Sequence, residues 1–193
     1  MNKSRLEAFS DGMFAIIMTI MVLDLKIPHG GTIQDLIPSI PSLLCYTQSF
    51  LFAGVYWSNH HHLIHTVKKV TGPTIVANLG LLFWLSLMPF VTSWVAASNF
   101  APQVVAVYAA VLAIPGFFWM MLNRIIRKNN PWSEKMHLAM KRQEKKGYVS
   151  MFIYLLGIPM AFVNPYISEG MFLLISVMWF IPDKNIEKAM EAE

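Results

Sequence analysis

Six stretches of this chain are apolar enough, and long enough, to be helices in a lipid bilayer, and that feature decides most of what it can fold into. They fall at about 6–26, 40–63, 74–97, 102–123, 148–163 and 166–182. A hydrocarbon core takes roughly 20 apolar residues per helix, and inside it only helices and closed barrels satisfy their own backbone. With 55% of its 193 residues hydrophobic and 13% charged, the chain lies outside the range of ordinary soluble domains. The pattern predicts an all-α membrane protein, a single six-helix domain over residues 1–193, with no soluble catalytic module. The last two spans are near 16 residues each, which predicts a tight hairpin around Asn164-Pro165 with slight thinning of the bilayer or snorkelling flanks.

Basic residues set the orientation. With six spans and both termini cytoplasmic, fourteen of the fifteen lysines and arginines fall on the inner side, leaving only Lys26 outside. This is the asymmetry the positive-inside rule describes. The pI near 9.2 therefore reads as membrane orientation and not as affinity for nucleic acid. The first apolar segment is long enough to stay in the membrane and lacks a cleavage site, so no secretory leader is expected. Cys45 lies within the second span and is the only cysteine, which excludes an intrachain disulfide.

Breaker residues mark the joints. Pro89 predicts a kink in the third span, and Pro115-Gly116 a second kink in the fourth. Ser98-Asn99-Phe100-Ala101-Pro102 reads as a tight outer turn. Over residues 124–147, Asn130-Pro131 breaks the helix and Ser133 caps a short basic helix lying at the inner surface. The tail DKNIEKAMEAE reads as a solvated helical end. Trp57, Trp94, Trp132 and Trp179 sit near predicted span boundaries, where tryptophan anchors a helix to the interface.

The first span carries the most chemistry. At about 100° per residue, Ile16, Thr19, Ile20 and Leu23 fall within an arc of roughly 100°. Phe9 and Gly12 extend that face toward the cytoplasm. A ring of Ile16 side chains around an axis, placed at mid-span, would make a hydrophobic constriction that gates by excluding water. Thr19 offers the only hydroxyl on the face, either bonded back to the Ala15 carbonyl or in contact with a partly dehydrated ion. Asp11 lies about 140° from Ile16 and should face neighbouring helices, with Arg5, His60 or Asn78 to satisfy it. Ser10 projects to another side and joins that network. A carboxylate at this depth is costly unless it has a partner or a task.

Arg5-x-x-x-Phe9-Ser10-Asp11, with Trp57-x-x-His60 and the Asn78-Leu79…Pro89-Phe90 stretch, resembles the transmembrane protein 175 family of potassium channels. The likeness covers spans one to three. Animal members carry two six-helix repeats in endosomes and lysosomes; this single copy is similar to the prokaryotic members, which assemble as homotetramers. The resemblance implies a pore constriction at Ile16, with further aliphatic rings at Ile20 and Leu23, and places Thr19 at the position linked to potassium preference. It also implies a packing network at the cytoplasmic end, made of Arg5, Ser10, Asp11, Trp57 and His60, with Phe9 and Asn78 beside them. The expected setting is a cell membrane, the bacterial inner membrane, with membrane lipid and further copies of the chain as the partners.

Other chemistries find less support. His61 and His65 have the spacing that can clip a metal, but no cysteine or nearby carboxylate completes a site in the sequence, so no metal is expected. No Thr-Val-Gly-Tyr-Gly loop, regular arginine series, phosphate-binding glycine loop or catalytic triad is present, so neither an enzyme nor a cofactor beyond permeant potassium is expected. Asp24 and Glu169 are the acids expected at the outer ends of helices, Asp24 either in a vestibule or as a solvated end. The competing readings are a secondary transporter with Asp11 as its ion site, disfavoured by the lack of paired broken helices, and a scaffold whose basic 124–147 segment recruits an acidic partner or lipid.

Overall fold

The computed structural model describes residues 2–180, and every regular element among them is helical. In chain order these are α1 Lys3–Leu23, a 3-10 turn Ile33–Ser39, α2 Ile40–His65, α3 Gly72–Ser86, α4 Met88–Ala97, α5 Pro102–Asn129, α6 Glu134–Val163 and α7 Pro165–Phe180. Counting α3 and α4 as one interrupted span and the 3-10 turn as the lead into α2, five helical stretches are long and apolar enough to cross a bilayer. α7, at 16 residues, is a shorter apolar helix. The tail expected to be helical lies outside the described residues.

Helix starts follow from local chemistry. The Asn2 side chain accepts the Arg5 amide at 3.0 Å and opens α1. Thr71 does the same for Thr74 ahead of α3, where Pro73 sits in the first turn. Ser133 accepts from Met136 at 3.2 Å and opens α6. Each supplies an oxygen to an amide that has no partner inside the helix. The turn between α4 and α5 is as tight as its sequence implies: Asn99 and Phe100 both take left-handed backbone, at φ 50° and 59°. Asn tolerates that region; for Phe it is uncommon, and here the Phe100 ring rests on Tyr166 with centroids 5.3 Å apart.

Three joints differ from the expectation. The third span does not merely kink: it breaks at Leu87, where Pro89 enters the first turn of the new helix α4. Proline lacks the amide and crowds the carbonyl four residues back, so the earlier helix ends there. α5, by contrast, runs unbroken through Pro115 and continues to Asn129. The basic segment after Ser133 is not a separate surface helix but the first half of α6, continuous to Val163. Its charges are partly matched within the fold, since Glu144 reaches both Arg124 and Arg127 of α5 at 3.3 Å.

α5 is the core of the bundle, packed by α3, α4, α6 and α7. The backbones come close at Gly80 of α3, where a Cβ would collide with the Phe118 ring of α5. At the boundary between α6 and α7, Phe172 covers Gly157 in the same way. Buried hydroxyls lock the interior: Ser49 of α2 lies 2.7 Å from Thr92 of α4 and 2.8 Å from Tyr108 of α5. α1 is placed differently. It packs on α2, α3 and α4 along one side only.

Candidate pore-lining helix and its buried network

α1 divides into two faces, and the 3.6-residue period explains both. Leu6, Ser10, Phe14, Ile17 and Met21 are buried against the neighbouring helices. Phe9, Ile16, Ile20 and Leu23 stand exposed, Ile16 at 53% and Leu23 at 80%. Thr19 is exposed on the same side, with Gly12 below it. The stripe read from the sequence is thus the face that a single copy leaves bare. α1 begins at Lys3 and ends at Leu23, which places Ile16 about 20 Å from its N-terminal end and about 10 Å from the other, nearer one end than mid-span. The Thr19 hydroxyl bonds back along its own helix, to the carbonyls of Ala15 at 2.8 Å and Ile16 at 3.1 Å.

The buried face carries a polar chain. The Ser10 hydroxyl donates to the Leu6 carbonyl at 2.8 Å and accepts from the Asn78 amide at 3.0 Å. The Asn78 carbonyl oxygen lies 2.6 Å from His60 Nε2, and the His60 ring leans on Phe14 with centroids 5.6 Å apart. Ser10, His60 and Asn78 are each at most 1% exposed. All three are residues expected in the network, and α1, α2 and α3 meet there.

Asp11 is satisfied by Trp57, a member of the expected network, and by none of Arg5, His60 and Asn78. Trp57 Nε1 donates to its carboxylate at 3.0 Å, while His60 and Asn78 serve each other. Arg5 does not enter the network: its guanidinium makes no hydrogen bond or ion pair among the described residues. Six residues from Asp11, it points about 120° away, onto the bare face. Phe9 also stands on that face. The tryptophans divide as well: Trp132 is buried, not an interfacial anchor, and its indole N–H has no partner among the described residues.

Further contacts on the same edge are not foreseen from the sequence. α1 and α2 run antiparallel here, and each step of four down α1 is a step of four up α2. Asp11 meets Trp57; Glu7 meets His61 and His65, its Oε1 3.4 Å from His61 Nδ1 and 3.4 Å from His65 Nε2; and the Lys3 ammonium donates to the His65 carbonyl at 2.6 Å. The carboxylate that the histidines lacked in sequence comes from the other helix. At the far end, the Asp24 carboxylate accepts from Ser93 of α4 at 2.6 Å. Glu169 is inside the bundle and not at a solvated end, with one oxygen on Gln48 at 2.7 Å.

Set against known proteins, residues 5–89 match the family model described as endosomal/lysosomal potassium channel TMEM175. A potassium channel of Chryseobacterium sp. (strain P1-3) is 47% identical over 191 residues, covering 99% of each chain. The crystal structure of a lysosomal potassium-selective channel TMEM175 homolog from Chamaesiphon minutus is similar with a TM-score of 0.74 at 25% identity, over 93% of this chain and 96% of that one. The endosomal/lysosomal proton channel TMEM175 of Bos taurus is 35% identical over 99 residues, which are 45% of this chain and 20% of that protein.

Proposed function

The chain belongs to the TMEM175 family, a family of ion channels and not of enzymes, and we propose that it conducts potassium passively along the axis of a homotetramer walled by α1. The observation that carries the reading is the division of α1 into a packed face and a bare aliphatic one. A membrane helix held by three neighbours on one side, with Ile16, Ile20 and Leu23 bare on the other, is placed to meet copies of itself. One copy cannot enclose an axis with a single first helix, so the pore belongs to the oligomer. Rings of Ile16, Ile20 and Leu23 then pinch the route, because a narrow aliphatic collar sheds water and raises the cost of a hydrated ion. Thr19, between Ile16 and Leu23 on that face, supplies the oxygens that favour potassium. The basic-residue asymmetry supports six spans with both termini in the cytoplasm, and the bacterial relative supports a bacterial cell membrane as the setting.

The buried chain of Ser10, Asn78 and His60, with the Asp11–Trp57 bond beside it, holds the cytoplasmic half of α1 at a fixed rotation. These groups support the wall and lie off the route. That arrangement also weighs against a transporter with Asp11 as its ion site, because the Asp11 carboxylate is engaged by an indole and does not line a cavity.

Purified protein in liposomes should pass potassium down its gradient without a coupled substrate. Ile16→Asn should raise that flux several-fold, since an amide collar stays wet. Flux unchanged by Ile16→Asn would remove this residue from the constriction, and flux that saturates and depends on a second ion gradient would favour a transporter. A proton-flux measurement on the same vesicles separates the two permeant ions for which the relatives are named.

A further inference from the structure

We propose that Glu7, His61 and His65 form a binding site for a divalent transition cation of the zinc class, clipping the cytoplasmic turn of α1 to the end of α2. Three observations carry it. The ligand atoms of the three residues all lie within 4.8 Å of one another. His61 and His65 are one helical turn apart on α2, the spacing that directs two imidazoles at one ion, and their rings already approach to 4.5 Å between centroids. The carboxylate oxygen stands 3.4 Å from a nitrogen of each ring. That is longer than an N–H···O hydrogen bond, about 2.7–3.2 Å. It matches the edge of a tetrahedron whose centre holds zinc at about 2.0–2.1 Å from each ligand, an edge of about 3.4 Å.

Two imidazoles and one carboxylate are a donor set suited to zinc and its neighbours, harder than thiolate and softer than the all-oxygen cages of calcium and magnesium. The site is open to solution, with Glu7 22%, His61 42% and His65 47% exposed at the side chain, so water can complete the coordination. Small rotations about the His61 and His65 side chains bring their nitrogens to the same edge length. The neighbouring contacts hold the frame: Lys3 and Trp57 tie the same two helices a turn to either side. As surface ion pairs alone, the Glu7 contacts would contribute little to stability; as ligands they give the α1–α2 edge a chemically specific lock.

The test is binding of zinc chloride to the full-length protein in detergent, by calorimetry and by competition with a chromophoric chelator. Cobalt(II) serves as a spectroscopic probe, since a four- or five-coordinate site gives intense visible bands that the hydrated ion lacks. The expected result is one ion per chain. Glu7→Gln, His61→Ala and His65→Ala should each weaken binding at least roughly tenfold, as losing a ligand costs no less than losing an outer partner. His29→Ala, in the loop between α1 and α2, should leave it unchanged. All three ligands are partly exposed, and a monodisperse elution profile confirms that each variant folds. Stoichiometric binding that survives in the doubly substituted His61→Ala, His65→Ala protein would overturn the proposal. So would the absence of cobalt bands in the unsubstituted one. Binding is read without conduction, so a failure of the channel reading leaves this result standing, and the reverse.

Discussion

α1 and α5 are both long apolar helices of one bundle, yet they solve opposite problems. α5 is packed by four helices, and its buried residues, among them Val104, Ala106, Leu112 and Leu122, cover more than half of its circumference. α1 buries five residues along one stripe, half-buries Met13 and Met18 beside it, and leaves the opposite side bare. In lipid no hydrophobic force distinguishes the two, because acyl chains are as apolar as leucine. What distinguishes them is close packing and polar contact. α5 is fixed by small residues and hydroxyls, α1 by a short chain of amide, imidazole and hydroxyl at one end. The difference teaches that in this fold apolarity marks a span, and the placement of its few polar groups marks how much of it the subunit claims for itself.

Four substitutions break or sharpen that contrast. The largest stability effect belongs to the contact of α3 with the enclosed helix α5. Gly80→Val drives a side chain into Phe118, and overpacking of this kind costs about 2 kcal/mol, lowering the melting temperature of the detergent-solubilised protein by roughly 4–8 °C. Next comes the polar end of α1. Asn78→Leu leaves His60 Nε2 unpaired and takes from Ser10 the donor to its oxygen inside the bundle, at a cost of about 1 kcal/mol by the same melting measurement. Within the bare face the order inverts. Ile16→Asn should change stability by less than about 0.5 kcal/mol, as substitutions away from packed features do, while changing flux several-fold. Smallest of all on stability is Thr19→Val, which keeps the shape and removes only a bond within one helix; its signature is a lowered potassium-over-sodium ratio in bi-ionic reversal potentials. A Thr19→Val protein that melts much lower than the parent would place the threonine in packing instead.

Hydropathy made the apolar runs legible, because bilayer thickness fixes their length, but not the helix ends: α1 closes at Leu23 and α6 opens at Glu134. The bare stripe was legible because a rotation of about 100° per residue sorts Ile16, Ile20 and Leu23 from Leu6, Phe14 and Ile17 without any tertiary knowledge. The same wheel, applied to Arg5, would have shown it turned away from Asp11. Register between helices is what a single chain conceals. Glu7 is invisible as a partner of His61 until Asp11 is known to meet Trp57, after which steps of four carry the pairing down the edge. The continuity of α6 was hidden for another reason. Charge over 124–147 reads as solvent exposure, but an ammonium can also rest on an aromatic ring, as Lys146 Nζ does over Trp179 at 4.9 Å. The break at Leu87 and the unbroken passage through Pro115 show that proline signals strain and leaves the outcome to the packing around it.

The central claim, that the bare face of α1 borders a water-filled route, has a direct test. In a Cys45→Ser background, which removes the free cysteine, potassium flux through Leu23→Cys is measured before and after a charged, membrane-impermeant thiol reagent. Phe152→Cys on the exposed side of α6 is the control. The account predicts that modification at position 23 abolishes most of the flux and that position 152 is indifferent. Flux untouched at position 23, with the thiol shown to be shielded in lipid, would contradict it.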